Sequence, residues 1–310
     1  MNQTAYQIIQ EVKKAVIGKD EVVVKTLLAI LARGHVLLED VPGVGKTTLA
    51  LAFSKVLGLQ YQRVQFTPDV MPSDLTGFSV LDRHTGEMEY RAGALMCNLF
   101  LADELNRATS RTQSALLEAM EEGQITVDGT TRQIPKPFVV IATQNPTGAA
   151  GTQLLPDSQM DRFTLRLSMG YPCREAEATM IRSRQGGNPL DSINQAIDQA
   201  RLEGLRKEVE QVYLSDDVLD YLLRLVEETR KNPDVRQGAS PRAALALAAA
   251  SRAKAFLSDR DYVLPEDVSD MFPETISHRL LFVRRLDEQP EAVRPLMDRI
   301  LNTVQPPKLR

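Results

Sequence analysis

The segment His35-Val-Leu-Leu-Glu-Asp-Val-Pro-Gly-Val-Gly-Lys-Thr-Thr48 joins a short apolar strand to a glycine-containing loop. The loop runs into a helical pattern from Thr48 to Leu57. Glycines allow backbone N–H groups to approach a phosphate closely, and a helix N-terminus adds the positive end of its dipole. A strand, such a loop and a helix in this order are typical of a phosphate-binding P-loop.

The residues of this loop have separate expected roles. Lys46 can reach β- and γ-phosphate oxygens, and the hydroxyl of Thr47 can bind Mg²⁺. The strict pattern has a glycine five positions before Gly45, whereas this chain has Asp40, which we interpret as variation within a working loop. The residues expected to bind the nucleotide here are Pro42, Gly43, Val44, Gly45, Lys46, Thr47 and Thr48.

A second motif combines an apolar run with two acids. The run Leu99-Phe-Leu-Ala102 ends in Asp103 and Glu104. Because α/β sheets bind ligands at the carboxyl ends of their strands, Asp103 is expected to bind Mg²⁺ there. Glu104 is the candidate base that polarises the attacking water. Strands also end in solvated carboxylates that have no function, but the upstream P-loop favours a Walker B site.

Short apolar runs alternate with helical patterns in the first half of the chain. Leu99–Asp103 and Phe138–Ala142 are nearly all apolar, as are strands buried on both faces of a parallel sheet. Two further strands are predicted at Tyr61–Phe66 and Phe163–Leu167. This alternation predicts an α/β fold, with a parallel sheet between helices, over residues 1–170.

The second half, residues 171–310, has no convincing strand and is predicted to be an all-α lid domain. Ser215 with the two acids that follow it is a helix-start signal. The further predicted helices span Ser240–Leu257, Glu266–Leu280 with an interruption at Pro273, and Pro290–Val304.

Two long segments interrupt the first half. Thr67–Asn98 is broken by several prolines and glycines, and Gly123–Pro135 contains Asp128-Gly129 between alternating residues, which is a hairpin signal. Loops of this length inside a compact domain are usually functional.

Composition narrows the class of protein. The 310 residues include 37 Lys and Arg against 41 Asp and Glu, a net charge of -4 that disfavours a dedicated nucleic-acid binder. No signal peptide and no membrane-spanning apolar stretch is recognised. Two cysteines without a secretion signal fit a reducing compartment, so a cytoplasmic location is expected. The three histidines lack metal-ligand spacing.

Taken together, the motifs resemble those of AAA+ ATPases, and most closely those of the MoxR family. They occur in the family's order over nearly the whole chain. The matching segments are Glu39-Asp-Val-Pro-Gly-Val-Gly-Lys-Thr47, Phe66-Thr-Pro-Asp69, Pro72-Ser-Asp74, Leu101-Ala-Asp-Glu-Leu-Asn-Arg107, Ala142-Thr-Gln-Asn-Pro146, Met160-Asp-Arg-Phe163 and Gly238-Ala-Ser-Pro-Arg242.

The resemblance implies roles for residues that the P-loop alone does not explain. Asn145 is similar to sensor 1, which orients water near the γ-phosphate. Arg162 is similar to the arginine finger that acts on the neighbouring subunit's nucleotide; as an alternative, it is an exposed arginine paired with Asp161 or Asp157. Arg242 is similar to sensor 2 of the lid, and its alternative is a simple helix-start arginine.

Further implications concern the base and the inserts. Val16-Ile-Gly18 resembles the segment that lines the adenine base, with Ile17 and Gly18 as the candidate binding residues and core packing as the alternative. Thr67–Asn98 resembles the helix-2 insert, and Gln124–Ile134 resembles the insert before sensor 1. Both would face the ring pore or a partner.

The resemblance also implies a function. The expected protein uses ATP and Mg²⁺ as a homo-oligomer, a hexameric ring, to assemble, activate or remodel client proteins, with adaptors that carry a von Willebrand factor A domain as candidate partners. A nucleic-acid motor and the motor subunit of a metal chelatase remain alternatives. The acidic tip of the hairpin disfavours nucleic acid.

Overall fold

A computed structural model describes residues 1–41, 43–145, 155–185, 187–283 and 290–308, with backbone alone at residues 184–185 and 290–292. The described strands are Val36–Glu39 (β1), Tyr61–Gln65 (β2), Gly77–Leu81 (β3), Met88–Ala92 (β4), Leu99–Asp103 (β5), Gln124–Val127 (β6), Thr130–Gln133 (β7), Val139–Gln144 (β8), Leu165–Leu167 (β9), Val235–Gln237 (β10) and Leu281–Phe282 (β11).

The described helices lie before, between and after these strands. They are Gln3–Lys13 (α1), Asp20–Leu31 (α2), Lys46–Val56 (α3), Pro72–Thr76 (α4), Ser110–Glu122 (α5), Asp157–Met160 (α6), Arg174–Gln185 (α7), Gln199–Glu210 (α8), Asp216–Lys231 (α9), Pro241–Leu257 (α10), Pro265–Ile276 (α11) and Pro290–Thr303 (α12).

Five strands form one parallel sheet in the order β2-β5-β8-β1-β9. Successive residues of β5 point to opposite faces, so Leu99 and Leu101 join one hydrophobic core while Phe100 and Ala102 join another. Helices cover both faces, which explains why the central strands are apolar throughout. The predicted α/β class with a parallel sheet is therefore confirmed.

The sheet brings several loops to one edge. Strand β1 pairs with β8 on one side and with β9 on the other, and the chain crosses from β1 to the distant edge strand β2. Such a reversal of strand order opens a crevice at the carboxyl ends of the strands. The loops after β1, β5 and β8 all lie at this edge.

Both interrupting segments contain antiparallel hairpins. Strands β6 and β7 are joined by Asp128 and Gly129, which both have positive φ angles, 51° and 73°. Two consecutive positive φ angles are the requirement of the tight hairpin turn that Asp-Gly favours, so the hairpin prediction is confirmed. The earlier segment folds as the short helix α4 followed by the hairpin of β3 and β4.

The region after β9 is helical, with two departures from the sequence prediction. The short strands β10 and β11 pair antiparallel, although no strand was predicted there. Pro273 lies inside α11, which ends at Ile276. The helix continues through this proline because the buried side chains of Met271, Phe272 and Ile276 offset the lost hydrogen bond. No described helix is long and apolar enough to cross a membrane.

Candidate active site

The loop between β1 and α3 is shaped by glycines. Gly43 and Gly45 have φ angles of 87° and 100°, a conformation that strongly favours glycine, and Gly45 caps α3. Lys46 begins the helix and is 7% exposed, and its Nζ donates to the carbonyl oxygen of Asp40 at 2.7 Å. Pro42 lies outside the described residues.

Lys46 is buried and has several carboxylates around it. Burial lowers the pKa of its ammonium group, whereas the carboxylates of Asp40, Asp103 and Glu104 act in the opposite direction. A buried cation among several carboxylates suits a site that accepts a highly charged anion together with a metal ion.

Two side chains orient Asp103 at the end of β5. The hydroxyl of Thr143 donates to its Oδ1 at 2.7 Å, and Nη2 of Arg63 donates to its Oδ2 at 2.7 Å. The Thr143 oxygen in turn accepts from the backbone N–H of Glu104 at 2.8 Å. Sequence reasoning missed Thr143 and Arg63. The available signals were a hydroxyl within the quoted 142–146 segment and a charged residue inside strand β2.

Glu104 lies directly after β5 in the left-handed backbone region, with φ 58°. Its Oε1 accepts a hydrogen bond from Nδ2 of Asn145 at 3.1 Å, and its Oε2 accepts from Nη1 of Arg107 at 2.8 Å. The hydrogen bond from Arg107 is the largest cause that holds the pKa of this carboxyl below its ordinary value. The structure thus brings the predicted base and the predicted sensor into direct contact.

A second asparagine fixes Asn145. The Nδ2 of Asn106 donates to the carbonyl oxygen of Asn145 at 3.3 Å, and its Oδ1 accepts from the backbone N–H of Asn145 at 3.4 Å. Asn106 is 3% exposed. This reciprocal pair locks the backbone from which the Asn145 amide reaches Glu104. Asn106 lies in the matched 101–107 motif, but sequence reasoning assigned no role to it.

Lys46, Asp103, Glu104 and Asn145 line a cleft of about 640 Å³. Its volume suits a nucleoside triphosphate. One end is lined by Gly43, Val44, Gly45, Lys46, Thr47, Thr48, Asp103, Glu104 and Asn145. The remaining wall has the apolar residues Ala15, Val16, Ile17, Met169, Tyr171, Pro172, Met180, Pro189 and Leu190, and the polar residues Lys19, Arg63, Glu177, Ser183 and Asn188.

The two ends differ in chemistry. The first offers backbone N–H groups, an ammonium group and carboxylates, which fits phosphates and Mg²⁺, and both expected metal ligands, Thr47 and Asp103, line it. The second is largely apolar and fits a nucleobase. Gly18 allows the segment that contains Ile17 to pack closely on α7, because a Cβ at Gly18 would lie 2.4 Å from the Cβ of Ala176 on that helix.

Arg162 and Arg242 lie elsewhere. Neither is among the described residues that line the cleft. Both instead donate to the carboxylate of Glu121 on α5, and Nη1 of Arg162 also donates to the Leu117 carbonyl at 3.0 Å. The sequence alternative that pairs Arg162 with Asp161 or Asp157 is not observed among the described residues, since Arg162 pairs with Glu121 and Asp161 pairs with Arg279 at 3.1 Å.

The fold and the site define an ATPase of the AAA+ class. Residues 35–165 match the model of the ATPase family associated with various cellular activities (AAA), and residues 227–300 match the AAA lid domain. A solved structure of a candidate ATPase from Cytophaga hutchinsonii superposes with a TM-score of 0.89 at 34% identity, over 98% of this chain and 95% of that chain.

Full-length relatives narrow the class further. The uncharacterised protein YeaC of Bacillus subtilis is 45% identical over 88% of this chain and 85% of its own length. Chaperone MoxR1 of Mycobacterium tuberculosis is 38% identical over 99% of this chain and 83% of its own length. The chain belongs to the MoxR family of AAA+ ATPases, and it is a chaperone-like ATPase.

Proposed function

We propose that this ATPase works as a ring in which two neighbouring subunits build each hydrolytic centre, and that ATP turnover remodels a client protein. The observation that carries the proposal is the separation of Arg162 from the cleft. Among the described residues that line the cleft, Arg63 is held by Asp103, whereas Arg162, the arginine of the matching motif, lies elsewhere beside Arg242. A neighbouring copy can supply its Arg162 to the cleft.

The residues of one subunit divide the work. Thr47 and Asp103 would hold Mg²⁺, which when bound neutralises phosphate charge. Lys46 binds phosphate oxygens from a buried position. Glu104 accepts a proton from the attacking water at its carboxylate, and Asn145 fixes that carboxylate through the 3.1 Å hydrogen bond. The lowered pKa of Glu104 keeps it ionised and ready as a base.

In this proposal the two domains move relative to each other at their boundary. We divide the chain into a nucleotide-binding domain at residues 1–170 and a helical lid at residues 171–310. The apolar end of the cleft takes residues from both, such as Ile17 and Met180. Nucleotide turnover would therefore change the angle of the lid, and a hexamer in the cytoplasm would pass this change to its client.

A protein client is favoured over nucleic acid by the hairpin of β6 and β7. Its turn carries Asp128, and the guanidinium of Arg132 is engaged by the Tyr90 ring at 3.9 Å and by the Thr130 carbonyl at 3.1 Å. This arginine is thus held by its own hairpin and by Tyr90. Clients or adaptors with a von Willebrand factor A domain are the candidates that we favour.

Mixing two inactive variants tests the shared centre. Glu104→Gln lacks the base and Arg162→Ala lacks the finger, so each alone should hydrolyse ATP poorly. In an equimolar mixture, about a quarter of the subunit boundaries join an intact base to an intact finger. ATPase activity should therefore recover on mixing. If the mixture stays as inactive as its components although it assembles, the shared centre is wrong.

A further inference from the structure

The segment Ser168–Tyr171, which follows β9, is held from one side by Asp40. Oδ1 of Asp40 accepts hydrogen bonds from the Ser168 hydroxyl and the Gly170 N–H, each at 3.1 Å, and Oδ2 accepts from the Met169 N–H. Asp40 is 7% exposed. Charge-assisted bonds in such a buried place are strong, so these backbone N–H groups are firmly fixed.

Lys19 holds the same segment from the other side. Its Nζ donates to the carbonyl oxygens of Met169 at 2.5 Å, Gly170 at 3.0 Å and Tyr171 at 2.8 Å. An ammonium group has three donors, and all three go to this segment. Asp40 therefore binds its N–H groups and Lys19 binds its carbonyl groups, and we call these two side chains the clamp.

Both members of the clamp also belong to the nucleotide site. Asp40 occupies the position where the strict P-loop pattern has glycine, and its carbonyl oxygen accepts from Lys46 at 2.7 Å. Lys19 directly follows Ile17 and Gly18 and lines the cleft. A glycine at position 40 would have no carboxylate, so Asp40 adds a link between the P-loop and the segment Ser168–Tyr171.

The clamped segment ends in an aromatic residue with no packing role. Tyr171 lines the apolar end of the cleft, yet its side chain is 78% exposed. Ile17 and Pro172 lie in the same wall. A planar ring at the mouth of an apolar slot has the shape and chemistry to cover a flat nucleobase.

We propose that Asp40 and Lys19 are positioning residues that hold Tyr171 against the nucleobase. The P-loop then binds the phosphates, and the clamp sets the affinity for the base. This inference rests on the ATP site described above and is independent of the ring. Asp40, which stands where the P-loop pattern has glycine, thereby has a role in binding the base.

Calorimetric titration with two probes separates these roles. Mg²⁺-ATP contains a base, whereas Mg²⁺-tripolyphosphate does not. Asp40→Asn and Lys19→Met should each raise the Kd for ATP about tenfold and leave the Kd for tripolyphosphate within about twofold. Tyr171→Ala should behave like them, and Tyr171→Phe should bind ATP normally.

Controls make each outcome decisive. Lys14→Met, near Lys19 in the chain, and Tyr213→Ala, an exposed lid tyrosine, should leave both affinities unchanged. Lys46→Ala should lose both probes, and failure of the wild-type chain to bind ATP would refute the nucleotide site itself. If Asp40→Asn and Lys19→Met lose affinity for ATP and tripolyphosphate equally, or if both bind ATP as the wild-type chain does, the proposed role of the clamp is wrong.

Discussion

The backbone at Glu104 adopts a conformation that is costly for a residue with a Cβ, and the surrounding hydrogen bonds maintain it. The N–H of Glu104 donates to Thr143, and the carboxylate is shared by Asn145 and Arg107. Strained residues that are over-determined in this way concentrate at catalytic positions. The geometry thus agrees with the role that the sequence predicts for Glu104.

Replacement of this carboxylate should separate binding from turnover. We expect Glu104→Gln to retain ATP, because the phosphate-binding groups are unchanged, and to lose about 10²- to 10⁴-fold in kcat. Single-turnover assays beside calorimetric binding measure both quantities. Glu227→Gln, an exposed change on α9, is the control and should match the wild-type protein. Normal hydrolysis by Glu104→Gln would remove Glu104 from its assigned role.

The pH dependence of turnover should respond to Arg107. The pKa of Glu104 is lowered, so the base stays ionised until the pH falls through that lowered value. Arg107→Ala removes the largest lowering cause, so the pKa should rise and the acid limb of the kcat profile should move to higher pH. The exposed Arg111→Ala is the control. A profile that stays in place would mean that another group controls the acid limb.

The site residues that sequence reasoning found, such as Lys46, Asp103 and Glu104, lie within short motifs. Those it missed act across strands. Arg63 reaches Asp103 only because β2 pairs with β5, and no local pattern encodes that pairing. The partners of Arg162 and Arg242 were not foreseen for the same reason, since Glu121 is distant from both in the chain.

At the level of elements, the central strands β1, β5 and β8 were predictable because each is a largely apolar run, and the edge strands β2 and β9 because apolar and polar residues alternate in at least part of each. Strands β10 and β11 were not, because they have only three and two residues. Their pairing joins the residues after α9 to those after α11, which are distant in the chain, and such short strands have no periodicity of their own.

The contact between the base-lining segment and α7 should depend on Gly18. Alanine at this position combines a φ of 71° with a Cβ 2.4 Å from that of Ala176, so we expect weaker ATP binding and a lower Tm. Gly86→Ala is a matched control, since Gly86 has a φ of 72° and open space around its Cβ position. Thermal unfolding and ATP titration should show the larger loss at Gly18; equal losses would exclude the contact.

His35 links the helical layer to the sheet in a neutral form. Its Nδ1 accepts from the Val140 N–H at 3.0 Å, and its Nε2 lies 3.3 Å from the Met120 carbonyl oxygen. Burial lowers the pKa of His35 from 6.5 to about 4. The unfolded chain therefore binds a proton that the folded chain excludes as the pH falls below 6.5.

Stability should consequently fall on the acid side. At about 1.4 kcal/mol per pKa unit, His35 should remove roughly 3 kcal/mol from the free energy of unfolding between pH 6.5 and 4. Urea unfolding at several pH values measures this slope. His35→Gln should flatten it, and the exposed His84→Gln should not. An unchanged slope in His35→Gln would contradict the assignment.

For the whole molecule, activity should depend on assembly. If the finger comes from a neighbour, ATPase activity per subunit should fall when the protein is diluted below the concentration at which rings form. The residual activity of Arg162→Ala should change little on dilution. Light scattering measures the oligomeric state at each concentration at which the ATPase activity is assayed. If the activity per subunit stays constant while the oligomer dissociates, a shared centre is excluded.

The carboxylate of Glu121 serves as counterion to two guanidinium groups at once. In the ring that we propose, a subunit beside a neighbour with bound triphosphate would exchange this single carboxylate for a more highly charged anion. Beside a neighbour without nucleotide, no such anion is present, and the two arginines would stay paired with Glu121. The strength of the contact between two subunits would therefore depend on the nucleotide that the neighbour binds, so a ring would open first at a boundary where the triphosphate has been hydrolysed and released.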